Sequence, residues 1–331
     1  MGGLSAGDRT ALDALSGAGI SLTLVDVGAS LEPFAAFRPL LGRATYVGFD
    51  PDLREMHTET SAAGRRVIVN KAVVAEADRP TATFFLTRNP TASSTLRPAA
   101  DEVAPYLHAY RYDVVREAEV PATTLDRALV AAGLDRLDWL KLDTQGTDLR
   151  LVESLSEPVF ATLMAVDAEP GLDPYYETED TFGELHRVMT ERGFWLADIE
   201  LTPAVRLRRS TYDEALGART KFGRMRDEFA LKASPIAVGP RYLRTLASLD
   251  KAGAGRDDYL RLWACAAFSG NNPFALDVIA ECRDRHGADD LTTRLFDLSV
   301  RRNRRDARRG SWRLVDKVSL RNLKRFVTKS Y

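Results

Sequence analysis

Ser21-Leu-Thr-Leu-Val-Asp-Val27, stopped by Gly28, and Thr45-Tyr-Val-Gly-Phe-Asp50, stopped by Pro51, are the two runs on which the fold turns. Each is short, rich in β-branched and aromatic residues and closed by a turn former, which is how a buried strand is written. Between them Phe34, Phe37, Leu40 and Leu41 form the apolar stripe of a short helix over 32–41. Pro51 stands at the first position of a second helix, and Arg66-Val-Ile-Val-Asn70 reads as a third strand. Strands alternating with helices across short turns predict a parallel sheet, because parallel neighbours need a crossover between them.

Downstream, Ala82-Thr-Phe-Phe-Leu-Thr-Arg88 and the polar stretch Asn89-Pro-Thr-Ala-Ser-Ser-Thr95 interrupt this alternation. They predict an antiparallel excursion and a long loop, a candidate for part of a site or a lid. Helices over 124–132, 147–155 and 181–191 and strands over 137–143 and 161–169 then resume the pattern, and 194–201 and 227–232 add two strands. About seven strands in one sheet result. Past Ser234-Pro235, helices are predicted over 242–249, 257–268, 273–286 and 290–300. The expected organisation is an N-terminal segment 1–19, an α/β domain 20–235, a helical extension 236–300 and a basic amphipathic tail 301–331.

The 331 residues are 45% hydrophobic and 28% charged, enough apolar material for a buried core and unlike a disordered polymer. No apolar run approaches the ~20 residues of a membrane span. The first residues lack a basic segment followed by an apolar one, so a cytoplasmic protein is expected. Cys265 and Cys282 have no second Cys or His at metal-ligand spacing, which excludes a zinc-finger or disulfide scaffold. Net charge is −1, but residues 301–331 hold nine Arg and three Lys against two Asp, a net +10 that leaves −11 for the rest.

In an open parallel sheet, ligands sit beyond the carboxyl ends of the strands. The polar residues there are Asp26, Gly28, Asp50, Asn70, Asp143 and Glu169. Asp26-Val-Gly-Ala-Ser30 lacks the second glycine of a dinucleotide cradle, which disfavours a nicotinamide-dependent oxidoreductase. Asp50 stands about twenty residues on, where a carboxylate accepts hydrogen bonds from a ribose. Together these describe a nucleoside pocket. A strand-end Asp is also a common cap or turn former, and for Asp143 the roles of helix cap and of base stay open.

Asp26-Val-Gly-Ala-Ser30, Gly48-Phe-Asp-Pro51, Asn70-Lys-Ala-Val73, Ser93-Ser-Thr-Leu96, Thr124-Leu-Asp126 and above all Leu140-Lys-Leu-Asp-Thr-Gln-Gly146 resemble the FkbM family of S-adenosylmethionine-dependent methyltransferases. The likeness continues through Glu169, Pro174-Tyr-Tyr176 and Arg192-Gly-Phe194 and covers about residues 20–235. It implies a class I methyltransferase fold, an α/β Rossmann-like seven-stranded sheet whose last strand is antiparallel, here with an α-helical C-terminal extension. It also implies O-methylation of sugars or polyketide-like metabolites. Residue by residue, the resemblance sets S-adenosylmethionine against Asp26, Gly28, Ala29 and Ser30, with Asp50 on its ribose and the turn from Asn70 to Ala72 near its adenine.

Methyl transfer to an alcohol needs a base or a metal to activate the hydroxyl. Asp143 is the first candidate base and Glu169 the second; a divalent metal remains conceivable, but two carboxylates are too few to specify one. Gln145 is placed to orient an acceptor hydroxyl or to satisfy the turn. His57 and His186 fall in predicted helices, and His108 lies in the interrupted region as a further candidate base. In the tail, Trp312, Val315, Leu320, Leu323, Phe326 and Val327 alternate with cations, the composition of an interfacial membrane helix or of a helix packed on the acidic body. The expected partners are thus a saccharide, such as a glycan or lipid-linked sugar, or another small-molecule acceptor, with peripheral membrane contact through the tail and no nucleic acid. The alternative is a non-catalytic module that keeps the sheet and binds a membrane or partner through the extension and tail.

Overall fold

Among the described residues, seven strands build the main sheet: β1 (Thr23–Val27), β2 (Thr45–Phe49), β3 (Gly64–Val69), β4 (Trp139–Leu142), β5 (Ala165–Asp167), β6 (Phe194–Ala204) and β7 (Ser234–Arg244). They join in the order β3-β2-β1-β4-β5-β7-β6, and the three-residue strand Glu59–Ser61 extends the β3 edge to make eight. β1 to β5 pair in parallel, whereas β7 is antiparallel to both β5 and β6. This is the expected α/β architecture with the last strand inserted antiparallel. The computed structural model describes residues 4–29, 32–51, 59–61, 64–217 and 220–317.

Because side chains alternate along a strand, the inner strands turn two unlike faces to their surroundings. Val25, Val27, Val47, Phe49, Leu140, Leu142 and Val166 make one, buried with Leu125, Leu129, Leu151, Leu185 and Met189 in one apolar cluster. Asp26, Tyr46, Trp139, Lys141 and Asp167 make the other, and all five are buried. Phe37 covers this second face, its ring 5.3 Å edge-on from Trp139.

β6 and β7 are longer than the strands beside them. β7 meets β5 only through Arg241, Tyr242 and Leu243, so residues 198–204 and 234–240 continue as a two-stranded ribbon past the carboxyl end of β5. The segment after β5 follows this ribbon: Ala168 N–H donates to Pro240 O, Leu172 N–H to Ile236 O and Val238 N–H to Pro170 O. Thr81–Thr87, the expected excursion, pairs antiparallel with Val114–Thr123, and Ala72–Val73 joins the latter in parallel to complete a separate three-stranded sheet.

Several predicted elements fall elsewhere. The stretch 32–41 is a series of turns with a 3-10 helix at Leu41–Arg43, since Phe34 N–H donates to the Asp26 carboxylate instead of to a helical carbonyl. The helix predicted to open at Pro51 lies largely outside the described residues. The strand predicted over 161–169 shrinks to Ala165–Asp167, because Glu157–Thr162 is a helix with Pro158 in its first turn. Residues 227–232 do not form a strand: Lys221–Ala230 is helical, and β7 begins at Ser234. The boundary expected at 235 therefore falls inside a sheet strand, and the sheet unit runs from Ile20 to Ala254.

The second unit comprises Met1–Gly19 and Gly255–Tyr331. Its helices are Ala6–Gly17, Arg256–Phe268, Asn272–His286 and Asp290–Lys317. Trp263 is fully buried and donates from Nε1 to Ser299 Oγ at 2.9 Å, and Arg302 donates to Asp8 at 2.5 Å. The N-terminal segment thus packs with the helical extension. Among the described residues no helix is long and apolar enough to cross a membrane.

Candidate active site

The parallel strands end level with one another. Gly28 and Ala29 N–H both donate to Phe49 O, Asp50 N–H donates to Val69 O, and Asp143 N–H donates to Val27 O. Gly28, Asp50 and Asp143 consequently stand side by side on one edge. Gly28 has φ +76°, and a Cβ there would lie 2.4 Å from Asp143 O. The close approach this glycine permits is that of the Asp143 backbone, so it fixes the spacing of two strand ends. Asn70 is buried and its Nδ2 donates to Asp50 O at 3.4 Å, holding the β2 and β3 ends together. Ala72 is buried in the small sheet opposite Ala122 rather than in an open turn. Ser30, the remaining predicted cofactor residue, lies outside the described residues, as does His57.

Beneath this edge sits a buried row of charges. Lys141 pairs in register with Asp26 on one side and Asp167 on the other. Its Nζ lies 3.6 Å from Asp26 Oδ1 and 3.2 Å from Asp143 Oδ2, and it donates to Val27 O. Burial disfavours the ammonium, but Asp143, Asp26 and Glu169 outweigh that and raise its pKa, so Lys141 stays charged. Asp26 is 1% exposed and also accepts from Tyr46 Oη and Phe34 N–H. Desolvation raises its pKa, and Lys141 opposes the rise. Asp26 is thus shielded from the edge and acts on it through Lys141. Asp167 is held by Arg241 and by Trp139 Nε1, the latter at 2.6 Å.

Asp143 has both oxygens engaged, Oδ2 by Lys141 and Oδ1 by Gln145 Nε2 at 2.7 Å. Gln145 adopts φ +57°, a left-handed conformation uncommon outside glycine and asparagine. Its neighbours enforce it. Ser94 Oγ donates to Gln145 O at 2.7 Å, and Tyr176 Oη lies 3.2 Å from Gln145 Oε1 while donating to Ala92 O. The polar loop predicted to join the site does so through Ser94, which is buried. Asp148, also buried, accepts from Thr144 and from Glu169 N–H at 2.7 Å, tying the turn after β4 to the segment after β5. The N-cap of this helix, Asp148–Glu153, is Thr147, with no side-chain cap bond, so Asp143 is not its cap; the Asp143 carboxylate is turned towards Lys141 and Gln145.

Glu169 differs from Asp143. It is an exposed residue, yet protein atoms crowd its carboxyl, and this desolvation with the adjacent Asp143 carboxylate pushes its pKa up to about 7 against the pull of Lys141. A group titrating there switches between acid and base near neutral pH. His108 is buried among Tyr106, Tyr112 and Tyr175, and burial lowers its pKa, so it is a neutral ring in an aromatic cluster. His186 sits on its predicted helix with Nδ1 3.3 Å from Tyr242 Oη. Glu179 went unread in the sequence; it accepts from the N–H groups of Gly171, Tyr175 and Tyr176 and so shapes the loop beside Glu169. Among the described residues no group of three or more His, Cys, Asp or Glu is arranged to hold a metal ion.

The family model described as the methyltransferase FkbM domain matches residues 26–196, from the buried aspartate of β1 to the start of β6. The chain belongs to the FkbM methyltransferase family. That span contains every strand end described above, and the assignment supports a methyltransferase. No curated protein and no solved structure matches the chain.

Proposed function

We propose that this FkbM protein transfers a methyl group from S-adenosylmethionine to a hydroxyl of a saccharide or secondary metabolite in the cytoplasm. The observation that carries the reading is the charge at the strand ends. Asp50, Asp143 and Glu169 stand at the carboxyl edge, while Lys141 beneath them is turned inward and paired with Asp26 and Asp143. Such an edge suits a sulfonium and a ribose diol. S-adenosylmethionine supplies an electrophilic methyl group when bound.

The chain's own residues have distinct tasks in this reading. Asp50 accepts hydrogen bonds from the ribose hydroxyls. Glu169 takes the proton of the acceptor hydroxyl, since its pKa of about 7 matches the task and the residue is open to solvent. Asp143, locked by Lys141 and Gln145, holds the acceptor in line. This reverses the order expected from sequence, where Asp143 was the first choice of base.

Titration calorimetry with S-adenosylmethionine tests the pocket. Asp50→Ala should weaken binding by at least about tenfold, the worth of one charge-assisted hydrogen bond. Equal affinity in both proteins would remove Asp50, and the pocket built on it, from the cofactor site.

A further inference from the structure

Between residues 295 and 308 the helix Asp290–Lys317 presents two faces of opposite character. The inward one is fully occupied within its own helical unit: Ser299 accepts from Trp263, Arg302 donates to Asp8 and Ala267 O, Asn303 donates to Asn272 O, and Asp306 accepts from Asn272 Nδ2 at 2.6 Å. The outward one carries Arg301, Arg304, Arg305 and Arg308, all exposed. Their spacing of i, i+3, i+4 and i+7 sets four guanidinium groups on one stripe of two turns. Asp297 stands one turn before on the same stripe, and Asp306 lies 3.4 Å from Arg305 and is shared with Asn272.

Like charges at these spacings repel, and an anionic surface outside the bundle relieves that repulsion. We propose that Arg301, Arg304, Arg305 and Arg308 dock the helical unit on an anionic bilayer surface. Charge complementarity is the first reason: a leaflet bearing acidic headgroups offers many counter-anions to a linear row of cations at once. The second reason separates a bilayer from a nucleic acid. In the sequence the same spacing continues to Trp312 and Val315, an aromatic and an aliphatic residue that a headgroup layer accommodates and a phosphate backbone does not call for. This inference is independent of the catalytic reading, because its residues lie outside the family match.

Co-sedimentation of the full chain with vesicles tests it. Wild type should bind vesicles of phosphatidylcholine with phosphatidylserine, lose that binding at high salt, and ignore phosphatidylcholine alone. The variant Arg301→Gln/Arg304→Gln/Arg305→Gln/Arg308→Gln should bind at least about tenfold more weakly, each lost cation contributing roughly fivefold. Arg208→Gln/Arg209→Gln, which removes two exposed cations of the sheet unit, should bind as wild type. Circular dichroism reports whether the fourfold variant folds; if it does not, Arg301→Gln/Arg304→Gln is read in its place, with at least a fivefold loss expected. Undiminished binding by the stripe variants, an equal loss in the sheet-unit control, no binding to anionic vesicles, or capture of a DNA duplex in preference to them would each overturn the proposal.

Discussion

β1, β4 and β5 give their two faces to opposite kinds of chemistry. On one, Val25, Leu140 and Val166 are buried with aliphatic helix residues. On the other, one residue along each strand, Asp26, Lys141 and Asp167 are also buried, and they are ionisable groups paired with one another or with Arg241. The apolar face is held by area removed from water, which tolerates changes of shape as long as volume is kept. The charged face is held by pairing, and there the loss of one partner leaves another stranded. The first face makes the sheet stable; the second, through Lys141, sets the position of Asp143 at its edge.

Lys141→Met should break this contrast most sharply. It leaves Asp26 with no cation, and urea denaturation should show a loss of about 3–5 kcal/mol. Adding Asp26→Leu should recover most of that loss, which a purely steric defect would not allow. Leu140→Ala, one position away on the other face, should cost about 3 kcal/mol in the same assay, from lost burial and a cavity. No second substitution on the charged face should rescue it.

The smallest expected effect is in pH dependence. The folded-state pKa of Glu169 lies above its unfolded value, so its protonated form stabilises the fold fully below about 4.5 and that contribution fades as pH rises through about 7. Glu169→Gln should flatten the stability profile across that window by under about 1 kcal/mol, since solvent screens an exposed group. The same variant should slow methyl transfer by about 10²–10⁴-fold if Glu169 is the base. A profile unchanged in both respects would return that role to Asp143.

The inner strands were legible because burial on both sides leaves them almost wholly apolar. The edge was less so. In β7, Pro235, Gly239 and Pro240 break the apolar run, and the ribbon half of the strand pairs only with β6 and with the irregular segment after β5, so its sequence reads as a loop. Asp26, Asp50, Asp143 and Glu169 could be named because strand ends are where ligands bind, but not their division of labour. That depends on Lys141 paired across the strands and on Ser94 and Tyr176, residues 51 and 31 positions from Gln145. Couplings of that range leave no periodic trace. Gly28 was legible as a bend, while what it makes room for was not.

β7 is the last sheet strand to be synthesised and the only one that touches both β5 and β6. Until residue 244 clears the ribosome, a nascent chain therefore displays two raw hydrogen-bonding margins, one on each side of the gap, with nothing to seal them. The complete sheet is therefore a late product of translation, and a chain ending before Ser234 would keep β5 and β6 without the strand that joins them.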